Sequence, residues 1–391
     1  MTEEIFRRDG YAFEFEAVVI ATEGDDVELD ITAFYPGGGG QVCDTGTIRG
    51  SNVTEVLYKG ERIIHKVPKN DLKVKDRVWC SVDWHRRYDL MMGHTGEHLL
   101  FCSLKRFVPD LTINKIFISP ESKYVIVDRD ISWDDIGKAV NFANTAIRDN
   151  LPVTKSLMSR DDPELENVRI KIERIPEGEE ISVVSIGDID LSACSGLHVM
   201  ETGELEMLFI DRKVSAGKDG TAIHFKVGKD AIDSAVALAN ICLRTSDAAD
   251  SKPEDLVRAV SNLKKELDIT KRSVSDHVRR YSKIIVPLNI NGMKVFTAIL
   301  PNTERNVLVE MAESFKNTGD VSILMSEGEN LSVVISSGVP SINCSAIMST
   351  VLTELGGKGG GKIDFAQGGI SSDTSANTLM NRILDAMVHQ S

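Results

Sequence analysis

An α+β chain built in consecutive parts is the fold class this sequence predicts, and three observations predict it. Alternating β-rich runs fill residues 1–85, proline-free helical patterns occupy 83–107 and most of 230–283, and strands mix with helices over the remainder. The 391 residues exceed what one core usually holds, so two or three domains are expected. With 42% hydrophobic and 27% charged residues the chain has a globular composition, and its apolar runs fall short of the ~18 residues a membrane span requires. The opening Met1-Thr-Glu-Glu-Ile-Phe-Arg-Arg has no apolar core, so no secretory signal is expected. Cys43, Cys80, Cys102, Cys194, Cys242 and Cys344 are widely scattered, which suits a reduced cytoplasm better than a disulfide framework. A net charge of -14 argues against loose binding to any polyanion, so a nucleic-acid partner requires a local basic surface.

The first β-rich part turns at Glu23-Gly24-Asp25-Asp26. Beyond it Val27, Leu29, Ile31 and Ala33 alternate with Glu28, Asp30, Thr32 and Phe34, which puts Thr32 on the face away from the aliphatic row. Tyr35-Pro36 leads into Gly37-Gly38-Gly39-Gly40-Gln41, and strand-like pieces follow near Val53–Leu57, Arg62–Val67 and Arg77–Val82. Together these predict a small, largely antiparallel barrel over 1–85. Leu90, Met91, His94, His98 and Phe101 then recur at helical spacing up to Phe107, and Pro109 ends that helix. Residues 86–229 continue with strands at Lys115–Ile118 and Tyr124–Val127, a helix at Trp133–Arg148, and "ISVVSIGDIDL" running into "SACSGLHVM". Residues 230–283 read as two helices, with Pro253 in the first turn of the second, where a missing N–H costs nothing. That second helix carries nine Lys or Arg, Arg279 and Arg280 among them, against five Asp or Glu between Lys252 and Lys283. It is either a solvated face or a surface for a polyanion. Residues 284–391 alternate strands, the first at Ile284–Val286, with helices, and end in "GGKGGGKIDFAQGG" and a helix from about Asn377.

Within the helix, "HTGEH" places His94 and His98 four apart on one face, where both can reach one metal ion. "CSGLH" repeats the spacing with Cys194 and His198. Three imidazoles and a thiolate are the borderline-soft donors that suit Zn²⁺. Taken separately, the histidines are ordinary helix-face residues and the cysteine a small buried hydrophobe; the joint pattern points to a metal. "HTGEH" also fits H-x-x-E-H, the inverted zinc-peptidase motif with Glu97 as general base, but that motif does not explain Cys194 and His198.

"FYPGGGGQVCDTG", "GHTGEHLLF" and "CSGLHV", in that order, resemble the editing domain of alanyl-tRNA synthetase and its free-standing AlaX relatives. "GGKGGGKIDFAQGG" resembles the last synthetase domain, which is related to the DHH-associated domain of phosphoesterases. The combination is similar to the long form of AlaX. The resemblance implies a glycine-rich β-barrel, an α+β zinc-binding editing domain, a helical hairpin and a C-terminal α/β DHH-associated-type domain. It implies hydrolysis, in trans, of seryl-tRNA(Ala) and of glycyl-tRNA(Ala), since the chain begins at the β-rich part with no place for a synthetase catalytic module. His94, His98, Cys194 and His198 match the zinc ligands, and Gly37–Gly40 with Gln41 match the pocket loop, Gly38 and Gly39 at its centre. Thr32 falls where the family places a residue concerned with the amino-acid side chain, whereas Glu97 is not fixed by the resemblance. The family also implies tRNA binding by the C-terminal part, where Lys358 and Lys362 join Arg279 and Arg280 as candidates, and a homodimer formed through the preceding helices. The glycine tract lacks P-loop spacing, so its lysines could hold phosphate without nucleotide hydrolysis. A tRNA-binding module with a purely structural zinc, and a zinc peptidase, remain the competing readings.

Overall fold

In the strand Glu14–Glu23, Phe15, Ala17 and Val19 are buried while Glu14 and Glu16 face outward, the period-two pattern that lays a strand on a core. The computed structural model describes residues 2–170, 180–328, 330–371 and 374–389, which form two units, Met1–Arg244 and Thr245–Ser391.

The first unit opens with a seven-stranded antiparallel sheet in the order Ser51–Val53, Gly46–Ile48, Arg77–Val82, Glu14–Glu23, Asp26–Leu29, Arg62–Lys66, Glu55–Lys59. Thr54 alone separates the two outermost strands in sequence, and its N–H bonds Lys66 O at 2.9 Å, so the sheet curls into a nearly closed barrel. The alternation expected through Phe34 is not kept: Glu28 is buried along with Val27 and Leu29, and the strand ends at Leu29. Asp30 is exposed and interrupts the strand, and beyond it Ile31–Thr32 pairs in parallel with Glu3–Glu4. Thr32, expected on the face away from the aliphatic row, is therefore fully buried.

The long helix Trp84–Phe107 follows at once, capped by Asp83, whose side chain accepts the Arg86 N–H. From Gly93 to Phe101 every residue is buried, so this stretch runs through the interior and not along the surface. A four-stranded antiparallel sheet (Ile113–Ile118, Lys123–Val127, Thr221–Val227, Leu208–Ser215), a three-stranded one (Val153–Met158, Ile181–Ile186, Asp190–Ala193) and the helix Trp133–Arg148 complete the unit. One hydrophobic cluster holds both Val19 and Phe34 of the barrel and Leu99, Val127 and Phe225 beyond it. The boundary expected near residue 85 thus marks a change of element type, while the core crosses it.

Helix Gly228–Ala248 spans the division between units, and the second unit contains the helix Leu256–Ser282. Its six-stranded sheet has the order Leu288–Ile290, Met293–Pro301, Val321–Glu327, Asn330–Ser337, Phe365–Ser371, Lys358–Lys362. Only the pair Met293–Pro301 and Val321–Glu327 is parallel, joined through the helix Arg305–Asn317. The strand expected at Ile284–Val286 is absent: Ile284 and Val286 stay exposed after the helix, and pairing starts at Leu288. The glycine tract is itself the outer strand Lys358–Lys362, not a phosphate-type loop. Its glycines allow close packing, since a Cβ on Gly359 would lie 2.6 Å from Leu352 Cδ1 on the helix Cys344–Glu354.

Candidate metal centre

His94 and His98 sit one turn apart on the buried stretch of the long helix, and Cys194 and His198 lie on the loop that follows strand Asp190–Ala193. Their donor atoms converge within 4.8 Å of one another. Cys194 Sγ is 3.4 Å from the Nε2 atoms of both His94 and His198. Each imidazole is held from behind through Nδ1: His94 by Gln41 Oε1 at 2.8 Å, His98 by Asp190 Oδ2 at 2.9 Å and His198 by Thr95 Oγ1 at 3.1 Å. Such outer partners fix ring orientation and tautomer in metal sites. The Gly196 N–H points at the sulfur, 3.4 Å away. A Cβ on Gly196 would lie only 2.0 Å from His94 Cε1, so the loop closes over the ring only because this residue is glycine.

The electrostatics agree with this donor set. Burial would raise the Cys194 thiol, yet the imidazoles of His94, His198 and His98 bring it well below its ordinary value. Burial holds His198 down at about 3, its neutral, metal-binding form. His98 is instead raised to about 10, because Cys194 and Asp190 outweigh the effect of burial, so a metal would displace a proton there. Three oriented imidazoles around a thiolate fit Zn²⁺.

The glycine-rich segment meets the centre at its tip. Gly38 N–H bonds Gln41 O at 3.0 Å and Gln41 N–H bonds Gly38 O at 2.9 Å, closing a two-residue turn over Gly39 and Gly40. Their φ values of +60° and +95° belong to the left-handed region. Ile118 N–H bonds Gly40 O at 2.8 Å, and a Cβ on Gly40 would lie 2.6 Å from Ile116 O. Gly39 and Gly40 line a cavity of about 780 Å³ with His94, Glu97, His98 and Cys194. Gln41 is buried; its Oε1 serves His94, while its Nε2 has no partner among the described residues.

The base of this loop is pinned by a pair that the sequence reading missed. Arg87 and Asp44 are both fully buried and form an ion pair; Arg87 also donates to Ala33 O at 2.6 Å and Gly10 O at 2.8 Å. Asp44 accepts the Tyr35 N–H at 2.6 Å. Both ends of the loop are thereby tied to the helix that carries His94. Asp190 and Thr95 were also missed. Asp190 stands four residues before Cys194, and Thr95 lies inside "HTGEH", so proximity to the ligands was the available signal.

The candidates therefore divide. His94, His98, Cys194, His198, Gln41, Gly38, Gly39 and Glu97 come together at the centre. Thr32 is held inside the barrel, where its hydroxyl bonds His65 Nε2 at 2.9 Å and accepts the Phe34 N–H at 3.1 Å. It is not among the residues that line the 780 Å³ cavity. Arg279, Arg280, Lys358 and Lys362 lie in the second unit; all four are exposed, and Arg279 is ion-paired with Glu310 at 2.8 Å.

Comparison with known proteins gives this geometry a lineage. The model of the family "tRNA synthetases class II (A)" matches residues 7–86, and that of the DHHA1 domain matches residues 292–389. The alanine–tRNA ligase of Methanoregula boonei is 31% identical over 99% of this chain and 44% of its own length; that of Methanoculleus marisnigri is 30% identical over 96% and 42%. The chain thus spans less than half the length of these ligases. The alanyl-tRNA editing protein AlaX-L of Pyrococcus horikoshii is 28% identical over 95% of both chains. The match to that relative runs along nearly the whole of both chains, and with the DHHA1 model at the C-terminal end it makes this chain similar to the long-form AlaX alanyl-tRNA editing proteins.

Proposed function

We propose that the protein is a trans-editing hydrolase that deacylates seryl-tRNA(Ala), and glycyl-tRNA(Ala), in the cytoplasm. The observation that carries the reading is the oriented Cys/His cluster beside the tip of a glycine turn, in a cavity large enough for an aminoacyl nucleotide. In the reaction, water adds to the ester carbonyl, the acyl–oxygen bond breaks, and the tRNA 3′-terminal hydroxyl leaves with a proton. An aminoacyl ester is already reactive, so positioning and oxyanion stabilisation supply most of what is required. The Gly39 and Gly40 N–H groups lie outside the turn's own two bonds and belong to residues that line the same cavity as the cluster, which supports them as oxyanion donors. Zinc held by His94, His98, Cys194 and His198 would supply Lewis acidity or an anchor for the substrate.

Alanine is smaller than serine, so the correct product cannot be excluded by size. A buried donor that pairs with the serine hydroxyl, and is left unpaired by alanine, provides the discrimination. Gln41, like Thr32, is not among the residues that line the cavity, but it bonds His94, which is, and its buried Nε2 has no partner among the described residues, which supports this role. With its hydroxyl already engaged, Thr32 contributes from behind, fixing the backbone at Phe34 that leads into the glycine loop.

The second unit is the proposed tRNA-binding part, with Lys358 and Lys362 on an outer strand and Arg279 and Arg280 on the helix. The helices support homodimer formation. Val260, Leu263 and Leu267 step by three and four, and Val274 and Tyr281 continue the line at seven, as on a coiled-coil seam, yet each is more than 40% exposed. A four-ligand set also suits a purely structural zinc, which makes the protein a binding module alone. Parallel assays with seryl-tRNA(Ala) and an unstructured peptide separate the readings. Ester hydrolysis without peptide cleavage is expected; binding without hydrolysis supports the module, and peptide cleavage the peptidase.

A further inference from the structure

Glu97, on the long helix beside His98, is wholly buried, and neither carboxyl oxygen has a hydrogen-bond partner among the described residues. Two unsatisfied acceptors in the interior are costly to maintain, and they require an occupant. The nearest charged neighbours do not supply it. Glu97 Oε2 stands 3.8 Å from His98 Nε2, and Oε1 stands 3.8 Å from Arg169 Nη1, both beyond hydrogen-bonding range. Arg169 is committed elsewhere: its Nε donates to Ser192 Oγ at 2.8 Å, and its guanidinium lies over Phe101 at 4.8 Å.

The cavity has a polarity that identifies the occupant. Among the described residues that line it, Glu97 is the single acid, and it lies at the metal-ligand end. Lys105 and Lys115, which also line it, are exposed. An aminoacyl ester of a nucleic acid carries the matching order of charge, an α-ammonium at the acyl end and phosphates at the other. An ammonium has three N–H donors and no acceptor, so it can satisfy both carboxyl oxygens at once. We propose that Glu97 binds the α-ammonium group of the aminoacyl ester, making the site selective for esters whose amino group is free and charged. The assignment rests on the deacylase reading and gives Glu97 a substrate-binding role instead of the general-base role of a peptidase.

Two esters on the same tRNA test it: seryl-tRNA(Ala), and its nitrous-acid-deaminated form, in which hydroxyl replaces the ammonium at nearly equal size. Each enzymatic rate is divided by the ester's spontaneous rate, which removes their intrinsic difference in reactivity. For the wild type, kcat/KM should favour the amino ester by roughly 10- to 100-fold, the range expected of a hydrogen bond to a charged group. Glu97→Gln should reduce that preference to about threefold or less, acting mainly through KM of the amino ester, with zinc content unchanged. Equal wild-type turnover of both esters overturns the assignment. So does a Glu97→Gln variant that loses kcat on both esters equally, the signature of a base, or one that loses its zinc. If the wild type hydrolyses neither ester, it is the deacylase reading itself that fails.

Discussion

Gly196 shows how narrow the tolerance is at the ligand loop. Alanine there would drive its Cβ to 2.0 Å from His94 Cε1 and 2.3 Å from Nδ1. Its backbone is not in the left-handed region, and the three atoms nearest to such a Cβ all belong to the imidazole. Gly196→Ala should lower the zinc content well below the roughly one ion per chain expected of the wild type, while far-UV circular dichroism stays unchanged. Full zinc occupancy in that variant would contradict the position assigned to the loop. Thr32 makes the opposite point. Its hydroxyl links His65 Nε2 to the Phe34 N–H, and burial holds His65 neutral at about 4. Thr32→Val should therefore cost about 1–3 kcal/mol of stability by stranding buried partners. It should leave the ratio of seryl to alanyl deacylation within about twofold. A collapse of that ratio at unchanged stability would return Thr32 to the substrate.

The elements differ in how much of them was legible. The ligand helix was readable because His94, His98 and their apolar neighbours keep helical spacing up to Phe107 and the following Pro109, and the helix found is Trp84–Phe107. The four ligands were readable because each pair repeats a four-residue spacing. What holds them was not. Asp190 reaches His98 across 92 positions of sequence, and Gln41 reaches His94 across 53, distances over which local pattern carries no information. The strand break at Asp30 was hidden for a different reason, since the hydrophobic alternation runs through it undisturbed while the pairing partner changes from one strand to another. At Ile284–Val286 the composition favours a strand, but pairing begins only at Leu288. The helix Leu256–Ser282 leaves Leu263 53% and Leu267 55% exposed, more apolar area than a lone helix ordinarily presents. A second copy of the chain would cover that seam. Leu263→Glu with Leu267→Glu should shift light-scattering mass from dimer toward monomer while zinc content holds. A wild-type protein that is monomeric at micromolar concentration would remove the seam from any role in self-association.

For the whole molecule, the chemistry and the basic candidates fall in different units. The metal centre, glycine turn and Glu97 lie within Met1–Arg244, and Arg279, Arg280, Lys358 and Lys362 within Thr245–Ser391. Before helix Gly228–Ala248 the first part already has its own continuous core. A chain ending at Gly228 should retain its zinc and deacylate seryl esters, but discriminate tRNA(Ala) from other tRNAs at least about tenfold less sharply, a loss of roughly 1.4 kcal/mol of binding selectivity. Undiminished discrimination would leave the second unit with self-association as its purpose.

The most direct measurement compares the steady-state deacylation of seryl-tRNA(Ala) and alanyl-tRNA(Ala) by the intact protein and by a Cys194→Ala, His198→Ala double variant. The wild type should release serine with a kcat/KM that exceeds its value for alanine by several orders of magnitude, as a hydroxyl-reading site can. The double variant should lose both its zinc and that activity while still binding the tRNA. A double variant that deacylates seryl-tRNA(Ala) at the wild-type rate, or a wild type that hydrolyses both esters equally, would contradict the account.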